Sequence, residues 1–161
     1  MGRIYAASSW RNPIQPTVIQ ELLNNGHQVY DFRNPPGKAG FQWKDIQENW
    51  QDWTKEEYVN LLETTRDASH GFIADYRAMQ WADTCVLILP CGRSAHLEAG
   101  YFNGANKRLL IYMPEKQEPE LMYLMANKIC LNMDELLTEL NGGFKVNRQR
   151  KPVLGPAFYN E

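Results

Sequence analysis

A continuous apolar run, Cys85-Val86-Leu87-Ile88-Leu89, closed at once by Pro90 and Gly92, limits how this chain can fold more than any other stretch. Apolar residues without alternation suit a strand covered on both faces, as in a parallel sheet with helices on either side. Pro90 and Gly92 stop the strand, and Ser94 to Ala105 then reads as a helix. Ser94 is the expected N-cap, because its hydroxyl can accept from the open amides of the first turn. Strand, loop and helix in that order put exposed amides, Gly92, Arg93 and Ser94 at the carboxyl end of a parallel strand, where open α/β sheets bind ligands. Glu98 falls about one turn into the helix, among Leu97, Ala99, Gly100, Tyr101 and Phe102. An unpaired carboxylate among such neighbours is unfavourable. Either it complements the helix dipole or it carries chemistry, and the residues alone leave both open.

The rest of the chain supplies the remaining layers. Arg3 to Ala7 is a short strand followed by Ser8 and Ser9, and small side chains there let a ligand approach the backbone. This is not a GxGxxG fingerprint and makes no case for a dinucleotide. Trp10 comes next, on the expected rim, as a base-stacking residue or as a packing anchor. Pro13 to Asn25 reads as a helix with Val18, Ile19, Leu22 and Leu23 on its apolar stripe, and His27 to Phe32 as the second strand. Asp31 ends that strand on the ligand side, where it touches a base or sugar or caps the loop. Asn34 to Thr54 is a long connection carrying Phe41, Trp43, Trp50 and Trp53. So much Trp argues against disorder, and the segment reads as a lid or wall over a base, with a short helix near Asp45 to Trp50. A subunit contact is the other reading.

Lys55 to Glu63 and Asp67 to Ala82 are helical by pattern. On the second, Ala68, Phe72, Tyr76 and Met79 form the expected buried stripe. Asp75 lies off that stripe, where an acid is ordinarily just solvated. Arg108 to Met113 and Lys128 to Leu131 are the last strands, Pro119 to Ala126 a short helix, and Asn132 with Asp134 opens a final amphipathic helix through Leu140. The expectation is one domain over residues 1–161, an α/β doubly wound (flavodoxin/Rossmann-like) five-stranded parallel sheet with helices on both faces.

Composition narrows the partners. A chain of 161 residues is long enough for a proper core, and its net charge of −2 gives no electrostatic case for nucleic acid or a membrane surface. No run is long and apolar enough to span a bilayer, and no signal-peptide pattern opens the chain, so a cytoplasmic setting is expected. The three cysteines lack metal-site spacing. Cys85 and Cys130 fall in expected strands, whereas Cys91 lies in the loop before Ser94 with His96 close by. A Cys91 nucleophile with His96 as base is therefore an alternative centre, though Glu98 accounts for the site better.

Taken together, Ile4-Tyr5-Ala-Ala-Ser-Ser-Trp10, Ser94-Ala-His-Leu-Glu98-Ala-Gly100-Tyr101 and Ala105-Asn-Lys-Arg-Leu-Leu-Ile-Tyr112 resemble the nucleoside 2-deoxyribosyltransferase family, which includes the deoxynucleoside 5'-monophosphate N-glycosidases. The similarity runs to about Leu131. It implies Glu98 as the nucleophile that takes the sugar, Asp75 as its partner at the sugar or base, and Tyr5 as the residue that orients Glu98. Ser8, Ser9, Trp10, Asp31, Gly92, Arg93 and Ser94 would bind substrate. The implied partners are a small-molecule nucleoside or nucleotide and a free nucleobase, with no metal or redox cofactor. The resemblance also implies a homo-oligomer, dimer or higher, in which the carboxy-terminal segment and the loop after the fourth strand can reach a neighbour's site; it leaves open whether Tyr159 or Glu120 does so in this chain. Transferases of the family often carry a further acid in the loop where this chain has Gly92, Arg93 and Ser94, a set that would suit a 5'-phosphate. The expected function is deoxyribosyl transfer between bases, with nucleotide N-glycoside hydrolysis second and a non-catalytic nucleotide-binding module third.

Overall fold

The structure, a computed structural model, describes residues 1–142. Five strands, β1 (Arg3–Ala7), β2 (Gln28–Asp31), β3 (Thr84–Ile88), β4 (Arg108–Tyr112) and β5 (Lys128–Cys130), form one sheet in the order β2-β1-β3-β4-β5. Every pairing is parallel. The helices are α1 (Gln15–Asn24), α2 (Lys55–Thr64), α3 (Arg66–Trp81), α4 (Arg93–Gly104) and α5 (Met133–Asn141). This is the doubly wound arrangement expected from the sequence.

Alternation within the strands sorts the core into two layers, because successive side chains point to opposite faces of a sheet. Ile4 and Ala6 of β1 join Val18, Ile19 and Leu22 of α1 and Leu136 of α5 on one face. Tyr5 and Ala7 join Ala78 and Met79 of α3 and Ala95, Ala99 and Phe102 of α4 on the other. β3 and β4 are buried along their whole length, as the unbroken apolar run demands. Polar groups close the ends of this core. Lys107 donates to the carbonyls of Met79, Gln80 and Ala82 at 2.7, 2.7 and 2.6 Å, capping the end of α3. Buried Arg108 pairs with Glu139 on α5 at 2.7 Å.

The order reverses between β1 and β3, where chains of this topology bind ligands. β1 leads there into Ser8–Trp10, and β3 into the cis Leu89–Pro90 turn and α4. Asn12, fully buried, fastens the two loops together. Its Nδ2 lies 3.1 Å from Ser8 Oγ and from the carbonyls of Ile88 and Pro90, and its Oδ1 accepts from the Ile14 amide.

Several local expectations are overturned. Ser94 does not cap α4: Gly92 occupies the N-cap without a side-chain bond, and Ser94 stands exposed in the first turn. α3 turns Ala68, Gly71, Ala78 and Met79 inward, whereas Phe72 and Tyr76 are exposed and stacked on one another at 5.6 Å. Leu23 of α1 is exposed as well, and Gln15 takes an inward place. Two 3-10 turns, Trp43–Asp45 and Trp50–Asp52, flank the stretch read as one short helix near Asp45 to Trp50, whereas the short helix expected within Pro119 to Ala126 is present as a 3-10 turn over Leu121–Met125.

Candidate active site

Two carboxyl groups meet on the α3–α4 face of the sheet. Asp75 comes from the middle of α3 and Glu98 from the second turn of α4. The two helices are held edge to face by the next aromatic on each, Tyr76 and Tyr101, at 5.8 Å. Beneath them Tyr5 and Tyr30 are register partners across β1 and β2, and parallel neighbours place side chains on the same face. Their rings stack at 5.5 Å and 15°. The Tyr30 hydroxyl donates to Asp75 Oδ1 at 2.8 Å. Tyr5 is wholly buried; its hydroxyl makes no hydrogen bond of good geometry, yet it lies close enough to Glu98 to favour the ionised carboxylate.

Burial and like charge set the ionisation of this pair. Desolvation, then the charge of Asp75, push Glu98 up to about 8, against the pull of Tyr5. Desolvation also raises Asp75, opposed by the Tyr30 hydrogen bond and by Lys38. Lys38 stands on the loop after β2 and donates to the His70 carbonyl at 3.1 Å. Both tyrosines are held far above their ordinary range, chiefly by burial, and remain neutral donors. Two acids with raised pKa values, near enough for the charge of Asp75 to bear on Glu98, at a sheet's switch point are the pattern of an acid–base site.

Around this pair the other expected residues divide. Ser8 donates to the Ile88 carbonyl at 3.0 Å and Ser9 accepts from the Arg11 amide at 3.2 Å, so both hydroxyls shape the loop after β1. Trp10 is 40% exposed, packed edge-on against Phe32 and covered by the Arg33 guanidinium at 5.7 Å. Arg33 in turn donates to the carbonyls of Ser9 and Asn12 at 2.7 and 2.8 Å. Asp31 is engaged by the fold: it accepts from Gln15 at 2.7 Å, the Arg33 amide at 3.0 Å and Asn34 at 2.7 Å. Gly92, Arg93 and Ser94 are exposed at the start of α4.

Gly92 and Arg93 line a different space, a cavity of about 770 Å³ on the opposite flank of α4, with Leu97, Leu109, Ile111, Met122 and Tyr123 among its walls. Cys91 and His96 lie on that side too. Burial, then Glu98, push the Cys91 thiol up to about 12, so it is not a thiolate at neutral pH. His96 Nδ1 is 2.8 Å from the Gly92 carbonyl, which can only accept, so Nδ1 carries the proton. It therefore cannot take one from Cys91 at 3.7 Å, and the cysteine-centred alternative fails on both counts. Glu120 caps the 3-10 turn at 121–125 by accepting from Met122 at 2.9 Å. Tyr159 and the basic tail lie outside the described residues. Among those described, no three His, Cys, Asp or Glu side chains are grouped to hold a metal, and no helix is long and apolar enough to cross a membrane.

Sequence reasoning missed Tyr30 and Lys38. Tyr30 stands at the same depth in β2 as Tyr5 in β1, a hint visible only once the strand register is known. Lys38 acts through the path of the loop after β2, which its own residues do not announce.

No family model and no curated protein sequence matches this chain. Solved structures do. A 2-deoxyribosyltransferase of Bacillus psychrosaccharolyticus superposes with a TM-score of 0.62 at 18% identity, over 83% of this chain and 89% of that one. A CMP N-glycosidase of Clostridium botulinum gives 0.50 at 15% identity, over 86% and 98%. A conserved protein of Enterococcus faecalis gives 0.55 at 11% identity, over 88% and 98%. The chain thus carries the doubly wound fold that these proteins, a 2-deoxyribosyltransferase and a CMP N-glycosidase among them, share.

Proposed function

We propose that this protein is an enzyme of the nucleoside 2-deoxyribosyltransferase family that cleaves the N-glycosidic bond of a (deoxy)nucleoside and passes the sugar to a second base. The observation that carries this reading is the Glu98–Asp75 pair, two half-buried acids matched to two buried tyrosines. Breaking an N-glycosidic bond develops positive charge at C1' and a demand for a proton on the departing base. A carboxylate beneath the ring answers the first by forming a glycosyl ester, and an acid at the base answers the second. Glu98 is the nucleophile and Asp75 the proton donor; the same ester, attacked by another base, yields the new nucleoside. Trp10, 40% exposed, offers a surface for a base to stack on.

The start of α4 supports a second reading. Its first-turn amides lack a side-chain cap, and Arg93 and Ser94 stand exposed beside them. That set suits a 5'-phosphate, and with water as acceptor the activity becomes that of a nucleotide N-glycosidase. Chromatography of bases and nucleosides after incubation with deoxynucleosides or their monophosphates, with and without a second free base, tests both. A new nucleoside formed only with the acceptor present is the expected result. Base released from monophosphates without an acceptor selects hydrolysis. No turnover on any of them leaves a nucleotide-binding module.

A further inference from the structure

We propose that Tyr30 is a positioning residue: its hydroxyl holds Asp75 as the ionised member of the resting carboxyl pair and so leaves the pair's single proton on Glu98. The two acids have unequal partners. Asp75 receives a hydrogen bond of 2.8 Å from Tyr30; Tyr5 also favours the Glu98 anion, but its hydroxyl makes no hydrogen bond of good geometry there. A hydrogen bond to a carboxylate favours its ionised form. The other groups that bear on the pair sharpen the asymmetry. Lys38, from the loop after β2, favours the Asp75 anion, whereas Glu98 feels Asp75 itself, with Cys85 and Cys91 on its own side as neutral thiols. Asp31 bears on the pair through Tyr30, whose neutral form it favours. The stacked tyrosine rings, fixed by adjacent positions in β1 and β2, keep both hydroxyls at set heights beneath the carboxyls.

The consequence for the reaction rests on the function proposed above. A resting pair with one proton already holds what the departing base needs, but on the wrong acid. The proton passes from Glu98 to Asp75, giving a Glu98 carboxylate and a neutral Asp75. Glu98 then attacks C1', the C1'–N bond breaks with its electron pair going to the base, and Asp75 gives the base its proton. The products are a glycosyl ester on Glu98, a neutral base and an Asp75 carboxylate, so charge and protons balance without an outside acid. Activity then requires one proton on the pair, and kcat/KM against pH is a bell whose acid limb follows Asp75 and whose basic limb follows Glu98.

The test is an infrared pH titration of the protonated-carboxyl stretch in wild type, Glu98→Gln, Asp75→Asn and Tyr30→Phe, with kcat/KM profiles alongside. Wild type should show a protonated carboxyl at pH 7 that Glu98→Gln abolishes. Tyr30→Phe keeps the ring and its stack and removes only the donor. It should raise the midpoint of the Asp75 signal, and the acid limb, by about one pH unit, a tenfold change in ionisation constant. The Glu98 signal and the basic limb should stay, because both states on that side contain the Asp75 anion. Asp75→Asn should move the Glu98 midpoint down toward the ordinary carboxyl range. A neutral-pH signal that survives Glu98→Gln, or an Asp75 midpoint unmoved in Tyr30→Phe, overturns the assignment. Wild type inactive on every nucleoside would defeat the functional reading instead, and the infrared titration would still decide where the proton rests.

Discussion

The two flanks of α4 make opposite cases for a site. Glu98 and His96 are two residues apart, which on an α-helix is about 200° of rotation. Glu98 therefore faces α3 and the tyrosines, whereas His96 faces Tyr123, on which it stacks at 5.9 Å. The His96 flank lines a cavity of about 770 Å³, with Leu97 and Met122 well exposed at its edge. It also holds a cysteine, a histidine and a tyrosine within reach of one another. Yet its thiol is protonated at neutral pH, and the histidine nitrogen nearest that thiol already donates to the Gly92 carbonyl. The Glu98 flank carries two acids whose pKa values are raised, chiefly by burial. Carboxyl groups perturbed by burial and by each other are a stronger pointer to a functional site than the presence of a cavity.

Substitution can break that comparison, and the largest effect belongs to Glu98. Glu98→Ala should lower kcat by at least about a thousandfold while circular dichroism stays native; retained turnover would remove the nucleophile from this flank. Asp75→Asn comes next, with a fall in kcat of roughly a hundredfold or more, least for substrates whose bases leave easily without a proton. A uniform loss across leaving groups would instead make Asp75 a sugar-binding residue.

Stability sharpens the same contrast. Because Glu98 holds its proton up to about 8 when folded and loses it in the ordinary carboxyl range when unfolded, the folded state binds more protons across that window. Its contribution to stability is thus fully present below the unfolded pKa and is lost as pH rises toward 8. Chemical denaturation of Glu98→Gln should match wild type near pH 4 and exceed it by up to about 5 kcal/mol near pH 9. A constant difference at all pH values would contradict the burial argument.

Smaller effects should come from the loop beside Asp75 and from the other flank. A Cβ at Gly71 would sit 2.8 Å from Phe41 Cβ, and Phe41 packs edge-on against Trp43 at 5.0 Å. Gly71→Ala should cost about 1–2 kcal/mol in a thermal or denaturant melt and, by loosening the loop that carries Lys38, raise KM more than it lowers kcat. Cys91→Ser should change kcat/KM by less than about twofold. A large loss there would return the chemistry to the cavity side.

Much of the fold was legible because both faces of a parallel sheet are covered. Unbroken apolar runs such as Cys85–Leu89 have few other uses, and Pro90 with Gly92 marks where the strand must end. Glu98 was legible for the converse reason: a carboxylate among apolar neighbours needs an explanation. Periodicity served less well on the outer helices. Ala68, Phe72, Tyr76 and Met79 share a stripe on α3 by spacing; Ala68 and Met79 are buried, but the buried face is shifted toward Gly71 and Ala78 and leaves Phe72 and Tyr76 outside, since spacing gives a period and not the exact face that turns inward.

Asp75 shows the limit most clearly. By sequence it is a polar residue beside an apolar stripe, and only its resemblance to a known pattern raised it above a solvated acid. What makes it a candidate acid is a tyrosine 45 positions earlier, a lysine on a loop and a glutamate on the next helix. Local sequence determined the strands, the loop after β3 and the helix that bears Glu98, because burial and turn chemistry act over a few residues. Tertiary structure alone decided which carboxyl meets which hydroxyl, because desolvation and like-charge repulsion depend on distances between elements that no short stretch of the chain contains.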